Sequence, residues 1–142
     1  MTKQITIGSR GSKLALIQSN EVKALLLASN PNLDIKIQVI ETHGDKMLDK
    51  PLSEIGGKGL FTEELEKGLL SHEIDLAVHS LKDLPSMLDE RLKYVGSPQR
   101  EDIRDAFISI KRDSINDIPK GGIIATGSVR RKAQLLAMRP DL

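Results

Sequence analysis

The sequence contains no cysteine and no tryptophan, and it has only three aromatic residues. Without cysteine the chain cannot form disulfides, use a thiolate as nucleophile, or bind zinc or an iron–sulfur centre through sulfur. Its three histidines are scattered and show no metal-ligand spacing, so we expect no metal.

Long apolar runs are also lacking. The longest one covers residues 24–28, whereas a membrane span needs roughly 18 residues. The first residues lead straight into alternating sequence without the apolar core of a signal peptide. The 21 basic and 20 acidic residues nearly cancel, and with so few aromatic residues this argues against a dedicated nucleic-acid surface. We therefore expect a cytoplasmic protein with no membrane or nucleic-acid partner.

The 142 residues suffice for one domain, or for one domain and part of another. Alternating apolar and polar residues predict strands over 3–7 and 33–40. Between them Ser12 is the predicted N-cap of a helix that ends at Asn30-Pro31. Its approximate apolar stripe consists of Leu14, Ile17, Val22, Leu25 and Ala28. This strand–helix–strand order predicts an α/β fold with a parallel sheet.

Residues 41–59 lack a periodic pattern and predict a mobile loop. A helix follows, with Glu63 and Glu64 in its first turn, where the helix dipole favours acidic side chains. Residues 74–78 are nearly all apolar, which predicts an inner strand covered on both faces.

The last third of the chain predicts two further strands, over 105–110 and 123–125, and two helices. A capping box at 114–117 opens the first, very short helix, and Ser128 opens the second. No strand follows to cover the second helix, so we expect its apolar face to be exposed and the chain to self-associate when it is expressed alone.

Three loops follow the carboxyl ends of predicted strands, where ligands bind in open parallel sheets. They cover residues 8–12, 79–83 and 126–131, and each combines hydroxyl groups with cations. Ser12 and Ser128 stand at helix N-termini, which attract anions. One such loop alone is typical of solvated surface. Together the three loops predict a ligand with several carboxylates or phosphates.

Asp83 is the candidate acid, because it adjoins Lys82 on the loop after the most apolar strand and could stabilise a developing cation. The alternative is a turn aspartate that only bonds the backbone. His79 allows two interpretations as well, a proton shuttle or a hydrogen-bonded core residue. The glycines around Lys58 lack the spacing of a nucleotide-binding loop. They fit a lid that closes over an anion, or else a connector whose lysine is solvated.

Several segments of the chain resemble the amino-terminal portion of the porphobilinogen deaminase (hydroxymethylbilane synthase) family. They occur in the family's order and are Arg10-Gly-Ser-Lys-Leu-Ala-Leu16 with Gln18, Gly56-Gly-Lys-Gly-Leu-Phe61, Asp75-Leu-Ala-Val-His-Ser-Leu-Lys-Asp-Leu-Pro85, Arg100-Glu-Asp-Ile-Arg-Asp-Ala-Phe107, and Thr126-Gly-Ser-Val-Arg-Arg131 with Arg139-Pro-Asp-Leu142. The resemblance implies a monomeric transferase of tetrapyrrole (heme) biosynthesis. Such an enzyme condenses four porphobilinogen units into hydroxymethylbilane, releases ammonia at each step, and uses a dipyrromethane cofactor bound to a cysteine.

The resemblance also implies residue roles. Asp83 would be catalytic. Cofactor contacts would come from Lys82, Asp83, Thr126, Ser128, Arg130 and Arg131. The substrate side would comprise Arg10, Ser12, Gln18 and the lid residue Lys58.

The implied domains resemble periplasmic binding proteins. Residues 1–99 would form most of the first domain, without its returning segment, and residues 100–142 the beginning of the second. The third domain, which bears the cofactor, would be absent, and without a cysteine this chain cannot attach the cofactor. We therefore expect the chain to be inactive alone. The alternatives are a non-catalytic fragment that binds pyrroles weakly and an anion-binding transport module, which the acidic Asp83 disfavours.

Overall fold

A computed structural model describes residues 4–46 and 59–142 of the chain. The chain divides into two compact units, Met1–Pro98 and Gln99–Leu142. The first unit contains a three-stranded parallel sheet with helices. The predicted α/β class with a parallel sheet is therefore confirmed.

The sheet of the first unit consists of β1 (Gln4–Ser9), β2 (Asp34–Val39) and β3 (Leu76–Ala77). The strand order is β2-β1-β3 and both pairings are parallel. The predicted strand–helix–strand unit is thus present, with helix α1 (Lys13–Ser29) as the connection between β1 and β2. Because the strands are parallel, their carboxyl ends lie at one edge of the sheet.

Helix α1 begins and ends where the sequence predicts. The Ser12 hydroxyl accepts a hydrogen bond from the Ala15 amide at 3.3 Å, which is an N-cap interaction. Asn30 is the C-cap residue.

The predicted apolar stripe of α1 is wrong as its buried face. Three of its members are at least half exposed, namely Leu14, Ile17 and Leu25. The buried residues of the helix are instead Ala15 and Ser19. The Ser19 hydroxyl donates to the Ser9 hydroxyl of β1 at 2.7 Å, so a polar group is satisfied inside the contact. Small side chains let the helix approach the sheet closely.

Two helices follow β2, namely α2 (His43–Lys46) and α3 (Glu63–Leu70). The predicted loop over 41–59 is therefore wrong at residues 43–46, where a helical turn forms. Residues 47–58 of the predicted loop lie outside the described residues. Helix α3 carries Glu63 and Glu64 in its first turn, as predicted.

Ile74 is the centre of the packing between α3 and the sheet, and only 2% of its surface is exposed. It occupies the space left by two glycines. A Cβ atom at Gly8 would lie 2.3 Å from Ile74 Cδ1, and one at Gly68 would lie 3.3 Å from Ile74 Cγ1. The fully buried Ile7 of β1 and Leu65 of α3 complete this core.

The prediction of an inner strand over 74–78 is wrong. Strand β3 has two residues and lies at the edge of the sheet, because in the described part of the chain only β1 pairs with it. Residues 76–78 are half-buried. Together with α1 and the segment 81–98 they line an apolar cleft of about 800 Å³.

The second unit contains a 3-10 helix, Ile115–Asp117, and helix α4 (Val129–Met138). Both predicted helices are confirmed, and each has a serine cap. The Ser114 hydroxyl accepts from the Asn116 amide at 3.1 Å, and the Ser128 hydroxyl accepts from the Arg131 amide at 3.3 Å.

The two strands predicted for this unit, over 105–110 and 123–125, are wrong, since both segments are irregular. Ile108, Ile110 and Ile123 are at least 90% exposed. A strand needs a neighbour to pair its backbone groups, and the described residues 99–142 contain no strand to supply one. A strand-like pattern without a partner strand therefore does not produce a sheet. As expected, no residue of α4 is buried.

Across the two described ranges, no helix combines the length and apolar character required to cross a lipid bilayer.

Candidate active site at the carboxyl edge of the sheet

Two strand-end loops of the first unit meet at the carboxyl edge of the sheet. Arg10 follows β1, and a 3-10 helix, Leu81–Asp83, follows β3. Arg10 Nη1 lies 3.8 Å from Asp83 Oδ2. The Ser80 hydroxyl donates to Gln18 Oε1 of helix α1 at 3.1 Å. The structure therefore brings together Arg10 and Asp83, and it places Gln18 against the turn that carries Asp83.

Arg10 forms its main contacts with Asp45 of helix α2, a residue that sequence reasoning missed. Arg10 Nε lies 3.1 and 3.2 Å from the two carboxylate oxygens of Asp45, and Arg10 Nη2 lies 2.5 Å from Oδ1. Thr42 donates to Asp45 Oδ2 from its amide at 3.2 Å and from its hydroxyl at 2.7 Å. This is a two-pronged, charge-assisted pair, the strong form of an arginine–carboxylate contact.

The pKa of Asp45 lies below its usual value. Partial burial acts to raise this pKa, but the hydrogen bonds from Arg10 and Thr42 and the charge of Arg10 outweigh burial. Asp45 is consequently ionised at neutral pH and remains paired with Arg10.

The Phe61 ring packs against one face of the Arg10 guanidinium. The Arg10 Cζ atom lies 4.0 Å from the centroid of the Phe61 ring, a cation–π distance. Behind the ring stands Gly44, where an added Cβ atom would lie 2.2 Å from Phe61 Cε1. The glycine therefore lets the ring lie close to α2, so that Arg10 is held on an edge by Asp45 and on a face by Phe61.

His79 lies half-buried just before the 3-10 helix. Burial lowers the pKa of His79, and the nearby charges of Asp83 and Glu66 oppose this only in part. The imidazole is therefore neutral at pH 7 and can accept or donate a proton without carrying a permanent charge. This observation is compatible with both interpretations of His79.

The other predicted residues of the first unit differ in setting. Lys82 is exposed beside Asp83, so its ammonium group is accessible to a ligand. Ser12 is exposed, and its hydroxyl caps α1. Lys58 lies outside the described residues.

In the second unit the predicted residues gather at the start of α4. Thr126 Oγ1 accepts from the Ser128 amide at 3.1 Å, which orders the turn before the helix. Arg131 lies 2.7 Å and Arg130 3.7 Å from carboxylate oxygens of Asp105. The hydrogen bond from Arg131 lowers the pKa of Asp105. The structure therefore assembles these cations at an exposed helix N-terminus, although the strand predicted before them does not form.

Residues 5–142 match the family model described as "Porphobilinogen deaminase, dipyromethane cofactor binding domain". The chain belongs to the porphobilinogen deaminase family. Curated members of the family support this assignment. The chain is 54% identical over 140 residues to the porphobilinogen deaminase of Francisella tularensis subsp. holarctica. The matched region covers 99% of this chain and 46% of that protein.

Two further relatives show similar coverage. Identity is 48% over 140 residues with the porphobilinogen deaminase of Maridesulfovibrio salexigens, covering 99% of this chain and 46% of the relative. It is 51% over 140 residues with that of Paracoccus denitrificans, covering 97% of this chain and 45% of the relative. The chain thus spans slightly less than half the length of the curated relatives that it matches.

The family model is named for a dipyrromethane cofactor, and the chain contains no cysteine. This polypeptide therefore lacks the residue type to which the resemblance assigns the covalent attachment. Within residues 4–46 and 59–142 there is no group of three or more metal-ligating side chains.

Asp45 and Asp105 were missed for different reasons. Asp45 follows β2, whose carboxyl end lies beside that of β1, so the strand-end rule applied to all three strands would have included it. Asp105 is separated by 26 residues from Arg131, and it lies in a segment that the alternation assigned to a strand. Only the folded chain reveals that contact.

Proposed function

We propose that this chain is the amino-terminal portion of a porphobilinogen deaminase that condenses four porphobilinogen units into hydroxymethylbilane and releases ammonia at each step. The observation that carries the proposal is the position of Asp83. It stands at the carboxyl edge of a parallel sheet, within the segment matched by the family model, and its side chain is 25% exposed.

Asp83 is the catalytic residue of this proposal. Loss of ammonia from the aminomethyl group of porphobilinogen leaves a cationic azafulvene. A carboxylate that is already fixed beside this cation stabilises it without reorganisation of water, which is a large contribution to catalysis. The 3-10 helix supplies this fixation, because the Asp83 amide donates to the Ser80 carbonyl at 2.9 Å.

The cations would bind the acetate and propionate groups of pyrroles. Arg130 and Arg131 stand at the N-terminus of α4, whose first turn contains no acidic residue, so the helix dipole and both side chains attract a carboxylate. Their present partner, Asp105, is exposed. Surface pairs of this kind are weak, so a ligand carboxylate can replace Asp105.

Cationic and hydroxyl side chains of this kind would also suit the dipyrromethane cofactor, because its pyrroles carry the same acetate and propionate groups as the substrate. Lys82, Thr126, Ser128, Arg130 and Arg131 are the residues that would hold it. When bound, the cofactor supplies the primer to which the first pyrrole unit is added. On the substrate side we assign Arg10, Ser12, Gln18 and the lid residue Lys58.

The finer architecture also belongs to this proposal. Residues 1–99 would be the larger part of a first domain that resembles periplasmic binding proteins, and residues 100–142 the beginning of a second. We further propose a cytoplasmic, monomeric full-length protein, whereas the chain by itself would be inactive and would self-associate.

The test uses the complete gene product, with porphobilinogen as substrate and released ammonia and hydroxymethylbilane as readouts. We expect Asp83→Asn and Asp83→Ala to lower kcat by about 100-fold or more. Asp89→Asn is the matched control, because Asp89 forms a similar two-pronged pair in the same unit, with Arg91 as the partner instead of Arg10. Absence of ammonia release by the wild-type protein, or normal turnover by both Asp83 variants, would refute the proposal.

A further inference from the structure

The contact between Asp45 and Arg10 selects which edge of the guanidinium is available. Asp45 takes the side edge, formed by Nε and Nη2. The Nη1 group is left turned toward Asp83 Oδ2, at 3.8 Å. A guanidinium is planar and rigid, so fixing one edge also fixes the direction of the others.

Asp45 is itself held in place. Its Oδ2 atom accepts from both the amide and the hydroxyl of Thr42, and Thr42 is fully buried. The Phe61 ring covers one face of the Arg10 guanidinium. Arg10 therefore cannot turn its side edge toward Asp83 without breaking charge-assisted bonds at Asp45.

Through its ion pair with Arg10, Asp45 also affects the charge near Asp83. One guanidinium stands between two carboxylates, so Arg10, Asp45 and Asp83 together carry one net negative charge. The shorter contacts are with Asp45, which means that Asp45 neutralises Arg10 and the excess charge resides near Asp83. If Arg10 were released from Asp45, it would pair with Asp83 instead and cancel the charge that a cationic intermediate needs.

We propose that Asp45 is a positioning residue that holds Arg10 by its side edge and thereby keeps Asp83 available to a cation. This inference rests on the proposed function, because it gives Asp45 a role in the same reaction. Asp45 touches neither substrate nor cofactor in this role and acts only through Arg10.

The experiment compares steady-state kinetics of the complete gene product, its Asp45→Asn variant and the control Asp89→Asn, with porphobilinogen as substrate. For Asp45→Asn we expect a fall in kcat of about 10-fold with KM unchanged or lower, since the released Arg10 pairs with Asp83 but still attracts substrate carboxylates. For Asp89→Asn we expect both constants to stay within about twofold of the wild type. A general loss of structure would also lower the apparent kcat at unchanged KM, because it reduces the active fraction, so kcat is calculated per folded enzyme.

Two further variants test that Asp45 acts through Arg10. In an Arg10→Gln background, Asp45→Asn should change kcat by less than about twofold, because the group that it positions is absent. Thr42→Val removes, with little change in shape, the hydroxyl that donates to Asp45 Oδ2 at 2.7 Å and accepts from the Asp45 amide at 3.4 Å. Like Asp45→Asn, it should lower kcat, by a few-fold. It also tests the role of Asp45 if the Asp45→Asn variant does not fold.

The outcomes separate the two proposals. Active wild-type protein, an inactive Asp83→Ala variant and an unchanged kcat in both Asp45→Asn and Thr42→Val would overturn the role of Asp45 and leave the proposed function intact. Equal effects of Asp45→Asn with and without Arg10 would also overturn it. An inactive wild-type protein would overturn the proposed function, and this inference with it.

Discussion

Replacing Gly8 by alanine in the central strand should destabilise the sheet through a single steric contact. The new Cβ atom would lie 2.3 Å from Ile74 Cδ1, whereas ordinary contacts begin at 3.4 Å. The methyl group must therefore move by about 1 Å, although Ile74 is packed between β1 and α3 with only 2% of its surface exposed. Overpacking of this kind costs about 1–3 kcal/mol of unfolding free energy.

The variant Ile74→Val provides the rescue, because it removes Cδ1 alone. The two remaining atoms of residue 74 would lie 3.4 Å from the new Cβ atom, which is ordinary contact. By itself Ile74→Val should cost about 0.5–1.5 kcal/mol. The double variant should then be close in stability to Ile74→Val, with a coupling energy of about 1–3 kcal/mol between the two positions.

The assay is native-state hydrogen exchange of the β1 amides in the complete gene product, because it reports the opening free energy of this sheet separately from other domains. Gly127→Ala is the control, since nothing lies within 4 Å of a Cβ atom at that position, and it should leave the exchange of β1 unchanged. If the costs of Gly8→Ala and Ile74→Val were simply additive, the steric explanation would be refuted.

Three further predictions concern backbone strain, capping and pH. His72 has a φ angle of 62°, a conformation that favours glycine, so His72→Gly should raise the unfolding free energy by roughly 0.5–1 kcal/mol, measured by urea unfolding; a loss of stability would contradict the strain. Ser128→Ala removes the hydroxyl that accepts from the Arg131 amide and should speed hydrogen exchange in the first turn of α4 by an amount equivalent to about 1 kcal/mol, whereas unchanged exchange would show that the cap is not stabilising. Because the pKa of Asp45 is lowered from 3.8 in the folded chain, its ionised form adds stability above pH 3.8 that is lost as the pH falls through the folded value. The stability difference between wild type and Asp45→Asn should therefore shrink with falling pH below 3.8 in urea titrations, and a difference independent of pH would argue against the ion pair.

Local signals in the sequence were read correctly where the chemistry is local. The serine caps at Ser12, Ser114 and Ser128 all accept the expected backbone hydrogen bonds, because a cap involves residues only two or three positions apart. The parallel pairing of β1 with β2 was also predictable, because a short helical connection between two strands favours that arrangement.

Sequence patterns whose outcome depends on a distant packing partner predict the structure less well. The alternation over 105–110 and the apolar run over 123–125 are both typical of strands, yet neither segment pairs, since the described part of the second unit contains no strand. The apolar stripe of α1 does not form the buried face of the helix for a related reason. Hydrophobicity alone does not show that Ser19 can be buried, because its hydroxyl finds Ser9 only in the folded chain.

By itself the sequence determined the α/β class, the placement of Arg10 and Asp83 after the carboxyl ends of two strands, and membership of the porphobilinogen deaminase family. These properties follow from periodicity, chain order and motifs, which are all written along the chain. Only the tertiary structure decided that Asp45, 35 residues from Arg10, takes one edge of its guanidinium. The reason is physical: an ion pair depends on the distance between side chains in space, and the folding of β1 and β2 side by side creates that distance.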